Sequence, residues 1–216
     1  MLIISLLAAA ALVCAVLCIR YDYAGRRRLV YFFKPAATIL IITLAVLLAQ
    51  HAPPAYRTWI IAGLCFSLVG DIMLMLPRDR FLAGLGAFLV AHWCYITAFA
   101  SLPSDPNFYV LPLWLGFGIG VFYFIKPKKK VIRAAVFVYV ISIVTMTWLA
   151  VENWRLAGLA LAGVGALLFL TSDTLIGLRR FRGNWHSGQA LTLGTYFPAQ
   201  LLIAGSLGAV SATSAI

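Results

Sequence analysis

The chain has 216 residues, 63% of them hydrophobic and only 11% charged, with a mean hydropathy of +0.99 and a formal net charge of +11. A soluble domain is nearer ~45–50% apolar and ~25% charged, so a soluble globular class is excluded. The basic residues sit in short clusters between apolar runs, which reads as membrane-protein loops rather than a nucleic-acid-binding surface.

A hydrocarbon core about 30 Å thick needs roughly 20 apolar residues as a helix. Eight segments qualify: 1–19, 29–49, 58–76, 81–101, 108–125, 131–150, 156–177 and 188–210. The expected fold is therefore all-α, a single transmembrane domain over 1–216 in a cell (inner or plasma) membrane. Segment 1 carries its positive charge after the apolar run, so a retained helix is expected rather than a signal peptide. Segment 2 holds Lys34 one to two turns from its end, where a lysine alone is satisfied by snorkelling. Segment 3 carries Gly63, Ser67 and Asp71 at a spacing of four, and segment 4 carries His92 and Tyr95 on one face with Phe88 and Phe99. Segments 5 and 6 show no motif. Segment 7 is read with Gly158, Ala162, Ala166, Asp173 and Gly177 on one face. Segment 8 has a polar stripe of Gly188, Thr192, Tyr196 and Gln200, for which interhelical hydrogen bonding is the simplest reading. Cys14, Cys18, Cys65 and Cys94 all fall in apolar runs without metal spacing and read as small apolar side chains.

Of the seventeen Lys and Arg residues, fourteen lie in the odd-numbered connections and two, Arg57 and Arg155, in the even ones. This alternation supports the eight-helix count. The positive-inside rule then places the odd loops in the cytoplasm and both ends of the chain outside.

Only two acidic residues fall inside spans, Asp71 and Asp173; Asp22, Asp79, Asp105 and Glu152 are assigned to loops. Both buried aspartates lie roughly 6–8 Å inside the cytoplasmic boundary at 1.5 Å rise per residue. At matched depth they are expected to meet in one cavity. An intramembrane carboxylate costs about 2.5–3.5 kcal/mol at a helix centre and ordinarily marks a functional site facing the bundle interior. A clamp between helices is the plainer alternative. Asp71 and Asp173 are 102 residues apart and Tyr95 and Tyr196 are 101 apart, as a duplicated four-helix unit of parallel topology would give. There is no G-x-S-x-G elbow, no H-E-x-x-H and no phosphate-binding glycine loop. Three scattered histidines do not suggest zinc, and no metal or cofactor is expected.

The stretches "FSLVGDIML" (66–74), "FLAGLGAFLVAHWCYITAF" (81–99), "LLFLTSDTLIGLRRF" (167–181) and "TYFPAQLLIA" (195–204), with "KP" at 34–35, resemble the YhhN-like lysoplasmalogenase family. The resemblance spans most of the chain; Pro198 departs from the pattern expected there. It implies eight membrane helices and hydrolysis of the vinyl-ether bond of lysoplasmalogens to a fatty aldehyde and glycerophospho-ethanolamine or -choline. It also implies Asp71 and Asp173 as catalytic carboxylates, with His92, Tyr95, Ser172 and Tyr196 lining the pocket. Lys34, Ser67, Thr192 and Gln200 complete the candidate substrate-binding set.

The chemistry is compatible with that residue set. A vinyl ether hydrolyses by protonation of its outer alkene carbon, and water then captures the oxocarbenium ion. One protonated carboxyl and one carboxylate suffice, without metal or nucleophilic serine. A lysolipid phosphate would sit near Lys34, Arg78, Arg80, Arg179 and Arg180. The expected partner is thus a membrane phospholipid or lysolipid, with no obligate protein partner. The alternative reading is a proton-coupled transporter or exporter, which also uses intramembrane carboxylates and repeats.

Overall fold

The computed structural model describes residues 2–77, 80–103 and 105–213. The helices are α1 (Leu2–Tyr23), α2 (Arg27–Leu48), α3 (Pro54–Met75), α4 (Phe81–Ala100), α5 (Leu111–Ile125), α6 (Lys130–Ala157), α7 (Ala160–Phe181) and α8 (Gly188–Thr213). With the 3₁₀ turn Phe108–Val110 leading into α5, all eight are long and apolar enough to cross a membrane. No strand occurs among the described residues.

Local chemistry sets the helix ends. Pro54 opens α3 and Pro112 opens α5, where a missing N–H leaves no bond unmade. Lys126 (φ 54°) and Gly158 (φ 69°) close α5 and α6 in the left-handed conformation. Gly158 therefore ends α6 instead of lying on the face of α7, and α7 begins at Ala160. With 28 residues, α6 is about 42 Å long and outruns the hydrocarbon core. Its last turns contain Glu152, Asn153 and Arg155, so Glu152 is not in a loop as expected. Glu152 is buried and accepts hydrogen bonds from Arg155 at 2.7 Å and from the Asn107 backbone N–H at 2.9 Å. Asn153 Nδ2 donates to the Phe99 carbonyl at 3.0 Å. Glu152 and the Asn153 amide nitrogen have partners, whereas Asn153 Oδ1 has none among the described residues. Asp22 also belongs to a helix, the last turn of α1. Asp79 lies outside the described residues.

α3 with α4 and α7 with α8 form closely packed hairpins, joined by α4 against α6 and α8 against α2. Small residues permit the close approach. A Cβ on Gly70 would lie 2.6 Å from the Phe88 ring, and one on Gly165 would lie 3.0 Å from the Ala199 carbonyl. Tyr56, Tyr95, Phe99, Phe169 and Phe197 fill the core, whereas Val16, Phe32, Ile39, Leu113 and Phe124 are exposed on the apolar exterior. α2 and α8 each continue through an internal proline, Pro35 and Pro198.

Candidate active site

Helical spacing brings one side chain after another to Asp71. It is 1% exposed, on the face of α3 that also buries Gly63, Ser67 and Gly70. From α2, Lys34 and Thr38 are four residues apart and so share a face. Lys34 Nζ lies 3.0 Å from Asp71 Oδ1, and Thr38 Oγ1 donates to Oδ2 at 2.8 Å. From α8, the Tyr196 hydroxyl donates to the same Oδ2 at 2.7 Å. Lys34 is 9% exposed, so it is buried against the carboxylate rather than snorkelling.

The interactions continue behind Tyr196. Gln200 Nε2 donates to the Tyr196 hydroxyl at 3.1 Å, and the Tyr95 hydroxyl donates to Gln200 Oε1 at 2.8 Å. Ser67 Oγ lies 3.5 Å from the Tyr95 hydroxyl. The strong bonds of this chain all point their hydrogens toward Asp71. An ammonium and two hydroxyls thus converge on one carboxyl group, an arrangement suited to an acceptor. A buried ion pair is about neutral in stability against apolar side chains of similar volume, so stability alone does not account for a lysine and an aspartate here.

Asp173 occupies a second, drier position on α7. The Tyr139 hydroxyl of α6 donates to its Oδ2 at 2.5 Å, and His92 Nε2 of α4 lies 3.3 Å from the same oxygen. Among the described residues no Lys or Arg pairs with it, its Oδ1 has no protein hydrogen-bond partner, and neither ring nitrogen of His92 makes a well-formed hydrogen bond. The edge-to-face rings of Tyr139 and Phe169 hold the imidazole at centroid distances of 4.9 and 5.1 Å. Ser172, beside Asp173, donates to the Thr192 carbonyl at 3.1 Å and fastens α7 to α8.

A cleft of about 550 Å³ opens over Asp71. Its floor contains Lys34, Asp71 and Tyr196, and its mouth contains Arg27, Arg179 and Arg180. Asp173 instead lines a neighbouring cavity of about 40 Å³ with almost wholly apolar walls. The two spaces share Leu74, Phe81, Phe88 and Ile176 as a common wall. The expected single cavity is therefore two adjoining ones, because the Phe88 ring, packed on Tyr196 and Phe169, stands between the carboxyls' surroundings.

Of the expected substrate-binding residues, Lys34, Thr192 and Tyr196 line the cleft. Ser67, Tyr95 and Gln200 stand behind Tyr196, His92 stands behind Asp173, and Ser172 makes an interhelical bond. Arg80 is exposed and does not line the cleft, and Arg78 lies outside the described residues. The sequence reading missed Thr38, Tyr139 and Arg27. Thr38 carried a usable signal, its i, i+4 relation to Lys34; Tyr139 sits in an apolar helix with no motif. No group of three His, Cys, Asp or Glu residues suited to a metal occurs among the described residues.

The sequence model of the YhhN family matches residues 29–207. The chain is 33% identical over 193 residues to the uncharacterized membrane protein YhhN of Escherichia coli O6:H1, covering 86% of this chain and 90% of the relative. It is 36% identical over 156 residues to lysoplasmalogenase TMEM86A of Bos taurus, covering 68% of this chain and 64% of that protein. It is also 31% identical over 169 residues to a lysoplasmalogenase of Mycobacterium bovis, covering 74% and 63%. No solved structure matches. With the match running through both aspartate-bearing helices and all but the first membrane span, the chain belongs to the YhhN family.

Proposed function

We propose that this protein is a membrane lysoplasmalogenase that hydrolyses the vinyl-ether bond of an alkenyl glycerophosphoethanolamine or glycerophosphocholine by aspartate acid/base catalysis. The observation that carries the reading is Asp71, a carboxylate held by Lys34, Thr38 and Tyr196 at the floor of a cleft with an arginine-lined mouth. The relatives named lysoplasmalogenase support the reaction class.

The hydrogen-bond polarity supports a division of labour. Asp71, surrounded by donors, is the carboxylate that stabilises the cation and activates water. Asp173 has one hydroxyl donor and, among the described residues, no lysine or arginine partner and no hydrogen bond to Oδ1, and is the proton donor. The alkenyl chain lies along the apolar wall of Leu74 and Phe88, with its phosphate toward Arg27, Arg179 and Arg180. With the Phe88 ring turned aside by the entering chain so that the two cavities join, Asp173 gives its proton to the outer alkene carbon. The π electrons form the new C–H bond, and an ether-oxygen lone pair closes the oxocarbenium ion. Water adds to the oxygen-bearing carbon of that ion as Asp71 takes its proton. When the hemiacetal collapses, its hydroxyl proton returns to Asp173. The C–O bond to glycerol breaks as Asp71 passes its proton to the leaving oxygen. One water is consumed and both carboxyls regain their starting forms.

The test is purified protein with alkenyl, alkyl and acyl lysolipids, scored by mass spectrometry. Free fatty aldehyde from the alkenyl substrate alone is expected. Free fatty acid from the acyl substrate would mean ester chemistry and overturn the reading.

A further inference from the structure

The cleft mouth carries charges of both signs. Asp22, in the last turn of α1, lines it together with Arg27, Tyr31, Arg179 and Arg180. Neutral partners hold the Arg179 guanidinium: Nε donates to Asn184 Oδ1 at 2.9 Å, and Nη1 donates to the Gln189 side-chain oxygen. Neither partner cancels its charge, which the Asp22 side chain across the mouth attracts. Asp22 forms no direct ion pair among the described residues, and its charge reaches the Arg179 guanidinium only at longer range. A carboxylate at a helix C-terminus opposes the helix dipole, so α1 itself gains nothing from Asp22. The Tyr31 ring on the same cleft offers a face to which an ammonium is attracted.

We propose that Asp22 is the residue that sets headgroup specificity: it receives the ammonium of a zwitterionic lysolipid while Arg27, Arg179 and Arg180 receive its phosphate. The inference rests on the lysolipid reading above. In ethanolamine and choline headgroups two carbons separate phosphate from ammonium, so both charges of one headgroup fall within one mouth. If Asp22 only balanced the arginines, removing it would strengthen binding of every phosphate-bearing headgroup alike.

The experiment measures binding of three non-hydrolysable alkyl-ether lysolipids, with ethanolamine, choline or bare phosphate headgroups, to the detergent-solubilised full chain. Aldehyde release from the matching alkenyl lysolipids is measured in parallel. Asp22→Asn is expected to weaken ethanolamine and choline binding about five- to tenfold relative to bare phosphate, with KM following the same ratio. Asp22→Glu is expected to recover most of that loss. An equal change for all three headgroups, or no change, would overturn the proposal. Wild-type protein that discriminates headgroups in this way yet releases no aldehyde would overturn the cleavage reading and leave the Asp22 assignment standing. Failure of the wild type to prefer the amine-bearing headgroups in binding would overturn the assignment itself.

Discussion

Three hydrogen-bond donors converge on Asp71 and one on Asp173, and this asymmetry makes graded predictions at the residue scale. Asp71→Asn and Asp173→Asn each remove a group that must change protonation state during turnover. Each is expected to lower aldehyde release by about 10²–10⁴-fold, the usual range for a general acid or base, with the variants still inserted and folded by gel filtration. Near-wild-type turnover in either variant would refute the mechanism. Tyr196→Phe deletes one donor to a charged acceptor, an interaction of about 1.5–3 kcal/mol. That corresponds to a fall in kcat of roughly 10- to 150-fold with little change in KM. Ser67→Ala acts through the longest link of the chain, at 3.5 Å, and is expected to leave kcat within about twofold. An equal effect from both variants would show that the chain does not transmit position to Asp71.

At the scale of elements, the wall between the two cavities depends on how tightly α3 packs on α4. Gly70 precedes Asp71 and faces the Phe88 ring, which borders both spaces. The Cβ of Gly70→Ala would sit 2.6 Å from that ring, so Phe88, itself buried against Tyr196 and Phe169, has to move. Such overpacking costs about 1–3 kcal/mol, and it displaces the wall along which the alkenyl chain is proposed to lie. The expected outcome is a lower melting temperature together with a raised KM. Gly86→Ala on α4, where an added Cβ meets nothing within 4 Å, should change neither. The same elements show what the sequence could reveal. Spans, the buried faces of α3, α4 and α8, and both aspartates were readable because long apolar runs and i, i+4 spacing fix them locally. The break between α6 and α7 was readable but misplaced, because polar Glu152, Asn153 and Arg155 read as a loop whereas the helix runs on to Ala157 and ends at the left-handed Gly158. The partner of Asp173 was not readable. Tyr139 is one aromatic among many in an apolar helix, and its role comes from tertiary placement. The separation of the two cavities likewise depends on which ring fills the space between α3 and α7.

For the whole molecule, the cleft and the charge distribution bear on the same question, from which side the substrate enters. The cleft mouth is built from the ends of α1, α2, α3 and α7 that join the odd-numbered connections, represented by Arg27, Pro77, Arg180 and Asn184. Those connections together with the helix turns that flank them hold fourteen of the seventeen basic residues. A lysine- and arginine-rich loop is retained on the cytoplasmic side during insertion, so the cleft is expected to open to the cytoplasm and to draw lysolipid from the inner leaflet. The helices bearing Pro35 and Pro198 run unbroken, and the cleft closes over Asp71, Lys34 and Tyr196. A one-sided cleft suits an enzyme, whereas a transporter needs access from both faces and typically has discontinuous helices at its site. Two measurements test this together. In a cysteine-free background, Lys128→Cys is expected to resist a membrane-impermeant maleimide in intact cells and to react in inverted vesicles, with Gln50→Cys doing the reverse. Alkenyl lysolipid added to inverted vesicles is expected to be cleaved, while the same lipid added outside right-side-out vesicles is cleaved only as fast as it crosses the bilayer. Labelling of Lys128→Cys from outside would invert the assigned topology. Equal initial rates in the two vesicle preparations would show instead that the site is open to both faces, and that outcome would bring the transporter reading back.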